Sequence, residues 1–216
     1  LRRLTDWAHY GIGDTYAPEN EGLKGRGVAD VAAERGIDPF DALLDICIAD
    51  GLRTVLWPLP TDDDDESWKI RAEVWADDRA MLGGSDAGAH LDRMCGAPYT
   101  TAFLADVLRG RELVALEEAV RLLTDVPARL FGLRDRGRVV EGGIADLVVF
   151  DPTTVGASAP RMVEDLPGGT PRLWADALGV PHVLVGGTPI VRDGEPTGAL
   201  PGVVLRSGRD TETVLP

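Results

Sequence analysis

The chain has 216 residues, 44% of them hydrophobic, with 36 acidic against 22 basic side chains and a formal net charge of −14. That apolar share excludes a disordered chain, and the length accommodates one large domain or two small ones. The negative surface repels phosphate backbones and anionic headgroups, which argues against a nucleic-acid or membrane partner.

No apolar run approaches the roughly 18 residues that span a bilayer. The two cysteines, Cys47 and Cys95, share no metal-type spacing and form no disulfide framework, so a reducing cytoplasmic location is expected. The opening Leu1-Arg2-Arg3-Leu4-Thr5-Asp6 has no initiator Met and no signal-peptide hydrophobic stretch, as expected of a fragment or a processed product.

In chain order, Gly27 to Glu34 read as a short helix ending at Gly36. Pro39 sits where a second helix begins, a position that tolerates proline because its missing N–H would be unpaired anyway. Phe40, Leu43, Leu44 and Ile48 recur at helical spacing until Gly51. Leu52 to Trp57 predict a strand stopped by Pro58 and Pro60. The acidic run Asp62 to Glu66 suits either a cation or, more simply, a solvated loop at the N-terminus of a helix over Ser67 to Ala76.

Ala80-Met81-Leu82 predict a short buried strand that runs into the glycine-rich loop Gly83 to His90. Helices follow from about Thr100 to Arg109 and from about Leu116 to Thr124, with a further turn carrying Leu130 and Phe131. Beyond Gly132 the texture changes. Gly137 to Glu141 and Ala145 to Phe150 predict two strands joined at Gly142-Gly143. Val183 to Val185 and Thr188 to Val191 flank Gly186-Gly187, a hairpin signal because type I′ turns need positive φ at both central residues. Pro189 cannot donate to a ladder and should face an edge. Pro152 to Pro171, rich in Gly and Pro, predict a loop. The expected organisation is an α/β region over 1–133 followed by a small β region over 134–216.

The chain has three histidines, His9, His90 and His182, and no two have the spacing of a local metal site. His9 and His182 read as structural. Asp86 stands apart, because it follows the apolar run among Gly83, Gly84 and Gly88. Glycines allow a sharp turn and a close ligand, and a carboxylate at a strand end can bind a metal or take a proton from water. The alternative is an Asp that caps the next turn, and the local pattern alone fits both.

Gly84-Ser85-Asp86-Ala87-Gly88-Ala89-His90 resembles the segment after the eighth barrel strand of N-acyl-D-amino-acid deacylases, a branch of the amidohydrolase superfamily. Leu116 to Val120, Leu123-Thr124, Pro127 to Leu133, Asp135 to Gly137, and Gly142 through Ala145-Asp146-Leu147-Val148-Val149-Phe150-Asp151-Pro152 are similar to the superfamily's stretch joining barrel to β-sandwich. Asp165-Leu166-Pro167-Gly168-Gly169 and the closing hairpin resemble the deacylase branch more narrowly.

The resemblance implies an α/β fold. Residues 1–133 would be the C-terminal portion of a metal-dependent (β/α)8 barrel, and 134–216 a small β-sandwich. It implies metal-dependent hydrolysis of the amide of N-acyl-D-amino acids, with Asp86 as metal ligand and general base. Ser85, Gly88 and His90 are candidate substrate contacts, His90 resting only on its place in the loop. The implied cofactor is a divalent metal, zinc. The implied partners are a small-molecule substrate and either a missing barrel half or a second copy of the chain.

One departure weighs on this. The family's other ligands, a His-x-His pair among them, have no counterpart here, and a zinc site needs at least three protein ligands. The expectation is therefore a truncated chain, inactive by itself. The alternatives are a non-catalytic remnant or interaction module, or a cyclic-amide hydrolase of the hydantoinase or dihydroorotase kind. Ala115, before the Leu116 helix, is also a weaker cap than Ser.

Overall fold

The computed structural model describes residues 5–59, 62–92 and 94–214, and the expected stop at Pro60 lies outside them. The chain divides into two compact units, Leu1–Trp68 and Lys69–Pro216.

In the first unit a 3-10 turn at Trp7–His9 leads into β1 (Tyr10–Ile12), so His9 precedes a strand. Helices α1 (Val28–Arg35) and α2 (Pro39–Ala49) follow, then β2 (Leu56–Pro58). Local chemistry sets both helix boundaries. Gly36 adopts φ 65° and its N–H returns to the carbonyls of Ala32 and Ala33, which stops α1. The Asp38 side chain accepts from the Phe40 N–H at 2.8 Å, and Pro39 occupies the first helical position.

The apolar faces of both helices bury Val28, Val31, Ala32, Ala42, Leu43 and Ile46 against Ile12 and Leu23. β1 pairs antiparallel with β2, Ile12 opposite Leu56 and Tyr10 opposite Pro58. Only the end of the expected strand Leu52–Trp57 is extended in a ladder. Leu52 has φ 62°, and its N–H turns back to the Cys47 carbonyl at 2.7 Å.

Within this unit Asp50 and Asn20 are both almost fully buried. The Asp50 carboxylate accepts from the backbone N–H groups of Tyr16 and Ala17, from Asn20 Nδ2 and from Thr54 Oγ1. Burial opposes its charge, but these four donors outweigh that and hold its pKa far below the usual carboxylate range. Burial pushes the neighbouring Cys47 thiol up.

The division between the units falls inside α3 (Asp65–Trp75). The acidic run acts as a cap for this helix. Asp64 accepts from both the N–H and the hydroxyl of Ser67, at 2.8 and 2.9 Å.

In the second unit α4 (Tyr99–Ala105) runs on into a wide turn at Asp106–Gly110. Then come α5 (Leu116–Leu123), whose N-cap Ala115 makes no side-chain cap, and α6 (Asp125–Leu130), which admits Pro127 in its first turn. The strands follow: β3 (Leu147–Val149), β4 (Gly156–Ala157), β5 (Arg161–Leu166), β6 (Thr170–Trp174), β7 (Ala177–Leu178), β8 (His182–Val185), β9 (Thr188–Arg192) and β10 (Glu195–Pro196). Phe103, Leu104, Val107, Ala119, Leu122 and Val155 form the core, with Trp75, Leu82, Phe150 and Val180 packed against it.

A four-stranded antiparallel sheet has the order β10-β9-β8-β3, and β4 pairs with β7 and β5 with β6. Gly186 and Gly187 turn the β8–β9 hairpin with φ 54° and 80°. Pro189 sits beside a register shift, on the part of β9 that β10 leaves uncovered.

Three local expectations fail. Gly137 to Glu141 form no strand: Val139 is 86% exposed, and Gly142-Gly143 make only a local turn, so β3 pairs with the distant β8 instead. Ala80 to Leu82 are half-buried but unpaired. The expected loop Pro152–Pro171 holds β4, β5 and the start of β6. Side-chain charge rather than apolar alternation fastens that last hairpin. Arg172 grips Asp165 through two bonds of 2.6 Å and stacks on Trp174, and Arg161 pairs with Asp176.

Candidate active site

The loop that carries Asp86 is tied at its start by Leu82, which packs on the core of the second unit. Beyond Leu82 the backbone enters the left-handed region four times, at Gly84 (φ 83°), Asp86 (49°), Gly88 (94°) and His90 (47°). Glycine adopts such values freely, and Asp and His tolerate them at a modest cost that the surrounding turns must offset.

Two internal bonds do so. The Ala89 N–H donates to the Asp86 carbonyl at 3.0 Å and the Met94 N–H to the His90 carbonyl at 2.8 Å. The side chain that caps the turn is Ser85, whose Oγ accepts from the Ala87 N–H at 3.1 Å. The Asp86 carboxylate is exposed and makes no hydrogen bond or ion pair with any described residue. The backbone thus holds Asp86 in place while its carboxylate stays available to a ligand, water or a proton.

Ser85, Asp86, Gly88 and His90 share this one loop, as their closeness in sequence requires. His182 lies elsewhere, at the start of β8, where its Nδ1 accepts from the Asp193 N–H at 3.3 Å. Among the described residues no group of three or more His, Cys, Asp or Glu side chains is arranged to hold a metal ion. The described residues therefore do not by themselves make a metal site. No described helix is long and apolar enough to cross a membrane.

Three cavities lie away from this loop. One of about 570 Å³ is lined by Asp125, Arg129, Arg134, Arg136, Arg138 and the segment 212–214, among others. Others of about 500 and 270 Å³ also exclude residues 83–92. In the first of these, the guanidinium groups are already committed. Arg129 and Arg138 pair with Asp125, Arg136 with Asp146, and Arg134 with Glu212.

Two contacts on the loop involve residues without any local signal in the sequence. The Leu173 N–H, on β6, donates to the Leu91 carbonyl at 2.7 Å. Gly96 lies so close beneath Ser85 that a Cβ there would fall on the Ser85 carbonyl oxygen.

The model of the amidohydrolase family matches residues 16–191, most of the chain. The chain belongs to the amidohydrolase family. Over 196 residues this amidohydrolase chain is 32% identical to N-acyl-D-glutamate deacylase of Alcaligenes xylosoxydans, a match covering 89% of the chain and 36% of that protein. It is likewise 32% identical over 185 residues to D-aminoacylase of the same organism, covering 85% of the chain and 34% of the relative.

Among solved structures it is similar to N-acyl-D-glutamate deacylase from Bordetella bronchiseptica, complexed with zinc and a phosphonate inhibitor. There the identity is 28% and the TM-score 0.44, over 90% of this chain and 38% of that one. The amidohydrolase chain thus spans about a third of the length of the relatives it matches.

Proposed function

We propose that this amidohydrolase chain is the C-terminal part of an enzyme that hydrolyses the amide bond of N-acyl-D-amino acids. In this reading residues 1–133 belong to a (β/α)8 barrel and 134–216 to a small β-sandwich. The similarity to deacylases along most of the chain supports it.

The observation that carries the assignment is the Asp86 carboxylate, exposed on a loop of fixed backbone and bound to no other described group. A carboxylate so placed can take the proton of a water that attacks the acyl carbonyl, and return it to the amine nitrogen as the C–N bond breaks. The products are a carboxylate and a free amino acid. Gly88 and the neighbouring Ala87 and Ala89 leave room for the substrate, and the Ser85 hydroxyl, which accepts from Ala87, keeps its proton to donate. His90 is a further candidate substrate contact in this reading. The proposed cofactor is a divalent metal, zinc, whose ligands other than Asp86 lie outside these 216 residues.

A second reading, a non-catalytic interaction module, draws on the missing metal-type cluster among the described residues. One experiment separates the two. A protein of the relatives' length that contains this chain is purified and assayed against N-acyl-D- and N-acyl-L-amino acids. Turnover of the D series supports the enzyme, and no turnover of either series, in a folded and metal-loaded sample, rejects it.

A further inference from the structure

The β5–β6 hairpin and the Asp86 loop are far apart in sequence, yet one strand edge joins them. Leu173 lies opposite Met162 in the hairpin. Its N–H, however, points out of the ladder and donates to Leu91, one residue beyond His90. Its N–H is therefore not needed to hold the hairpin together, which is fastened by other pairs and by the Arg172–Asp165 and Arg161–Asp176 ion pairs.

The second tie is steric. Gly96 takes no positive φ, so backbone conformation does not call for glycine there. What calls for it is space, because any side chain at 96 would displace the Ser85 carbonyl, whose peptide bond leads directly into Asp86.

We propose that Leu173, through its backbone N–H, and Gly96, through its missing side chain, are positioning residues that fix the Asp86 loop from two sides. The part concerning catalysis rests on the proposed role of Asp86, whereas the mechanical part does not. The clamp adds two remote ties to the local bonds made by Ala87, Ala89 and Met94. Of the loop's left-handed residues, Asp86 and His90 carry a conformational cost, which the Ala89 and Met94 bonds offset in part. Released at Leu91, the loop would sample other conformations, and Asp86 would lose its fixed aim.

Proline at 173 tests this cleanly, since it removes one outward donor and leaves an edge strand that tolerates it. Amide hydrogen exchange is measured on the parent chain, Leu173→Ala, Leu173→Pro and Gly96→Ala. The expected result is exchange at Ala89 and Met94 faster by roughly tenfold or more in Leu173→Pro and Gly96→Ala. Leu173→Ala keeps the donor and stays near the parent, and the β8–β9 amides do not change in any variant.

In the longer protein, Leu173→Pro should lower kcat with KM nearly unchanged, and Leu173→Ala should restore it. Loop exchange that matches the parent in both Leu173→Pro and Gly96→Ala, with β8–β9 intact, overturns the proposal. Should Leu173→Pro fail to fold, Gly96→Ala decides alone by the same readout. Accelerated exchange beside a normal kcat in Asp86→Asn would sustain the clamp and sink the catalytic reading.

Discussion

Asn20 Nδ2 donates to Asp50 Oδ1 at 2.8 Å and also to the Ile46 carbonyl at 2.9 Å, so one buried amide ties the 3-10 turn at Pro18–Asn20 to the end of α2. With its backbone and Thr54 donors, Asp50 is ionised in the folded state well below the pH at which a free Asp protonates. Its folded pKa is depressed, so its contribution to stability is complete above the unfolded value and is lost as pH falls toward the folded one. The melting temperature of the chain should therefore hold near neutrality and decline below roughly pH 4, where free Asp titrates. Asp50→Asn should melt lower at neutral pH and show a shallower acid decline than the parent. Thermal scans across pH check this, and parallel curves for the two proteins would exclude the assignment.

Asp86→Asn, made in the longer protein, keeps the shape of the side chain and removes the proton acceptor. Loss of a general base costs about 10²–10⁴ in rate. The turn is capped by Ser85, so the melting temperature should scarcely move. Steady-state kinetics with metal content and thermal stability measured alongside test it, and a near-normal kcat in a folded, metal-loaded variant would refute the role.

The isolated 216-residue chain should bind zinc weakly and show no deacylase activity. One exposed carboxylate offers neither the ligand number nor the water exclusion of a zinc site. Metal analysis after exhaustive dialysis is the measurement, and one tightly held zinc per chain is the contrary result.

Leu122→Ala should destabilise the second unit by about 2–5 kcal/mol, because Leu122 is 1% exposed and packs with Phe103, Leu104 and Val155. Val139→Ala should change stability by no more than about 0.5 kcal/mol, since that side chain lies in solvent. Denaturant titration of both variants makes the comparison.

Sequence reading succeeded where a neighbouring residue supplies the physics. Gly36 ends α1, Asp38 and Pro39 start α2, and Gly186-Gly187 turn the β8–β9 hairpin, each through a bond or dihedral within a few residues. It also picked out the glycines of the Asp86 loop, of which Gly84 and Gly88 take positive φ. It failed where the partner is remote. Gly137 to Glu141 read as a strand joined at Gly142-Gly143, but the β3 edge is taken by β8. The residues of β5 hide their pairing because Arg161, Glu164 and Asp165 interrupt any apolar period.

The sequence by itself determined the helices, the glycine turns, the amidohydrolase kinship and the loop that bears Asp86. Only the tertiary structure decided that Leu173 and Gly96 hold that loop. The reason is that a cap or a turn is settled by dihedral preferences within four or five residues. A backbone N–H on a strand edge carries no residue-type signature at all, and its acceptor is chosen only when distant segments come together.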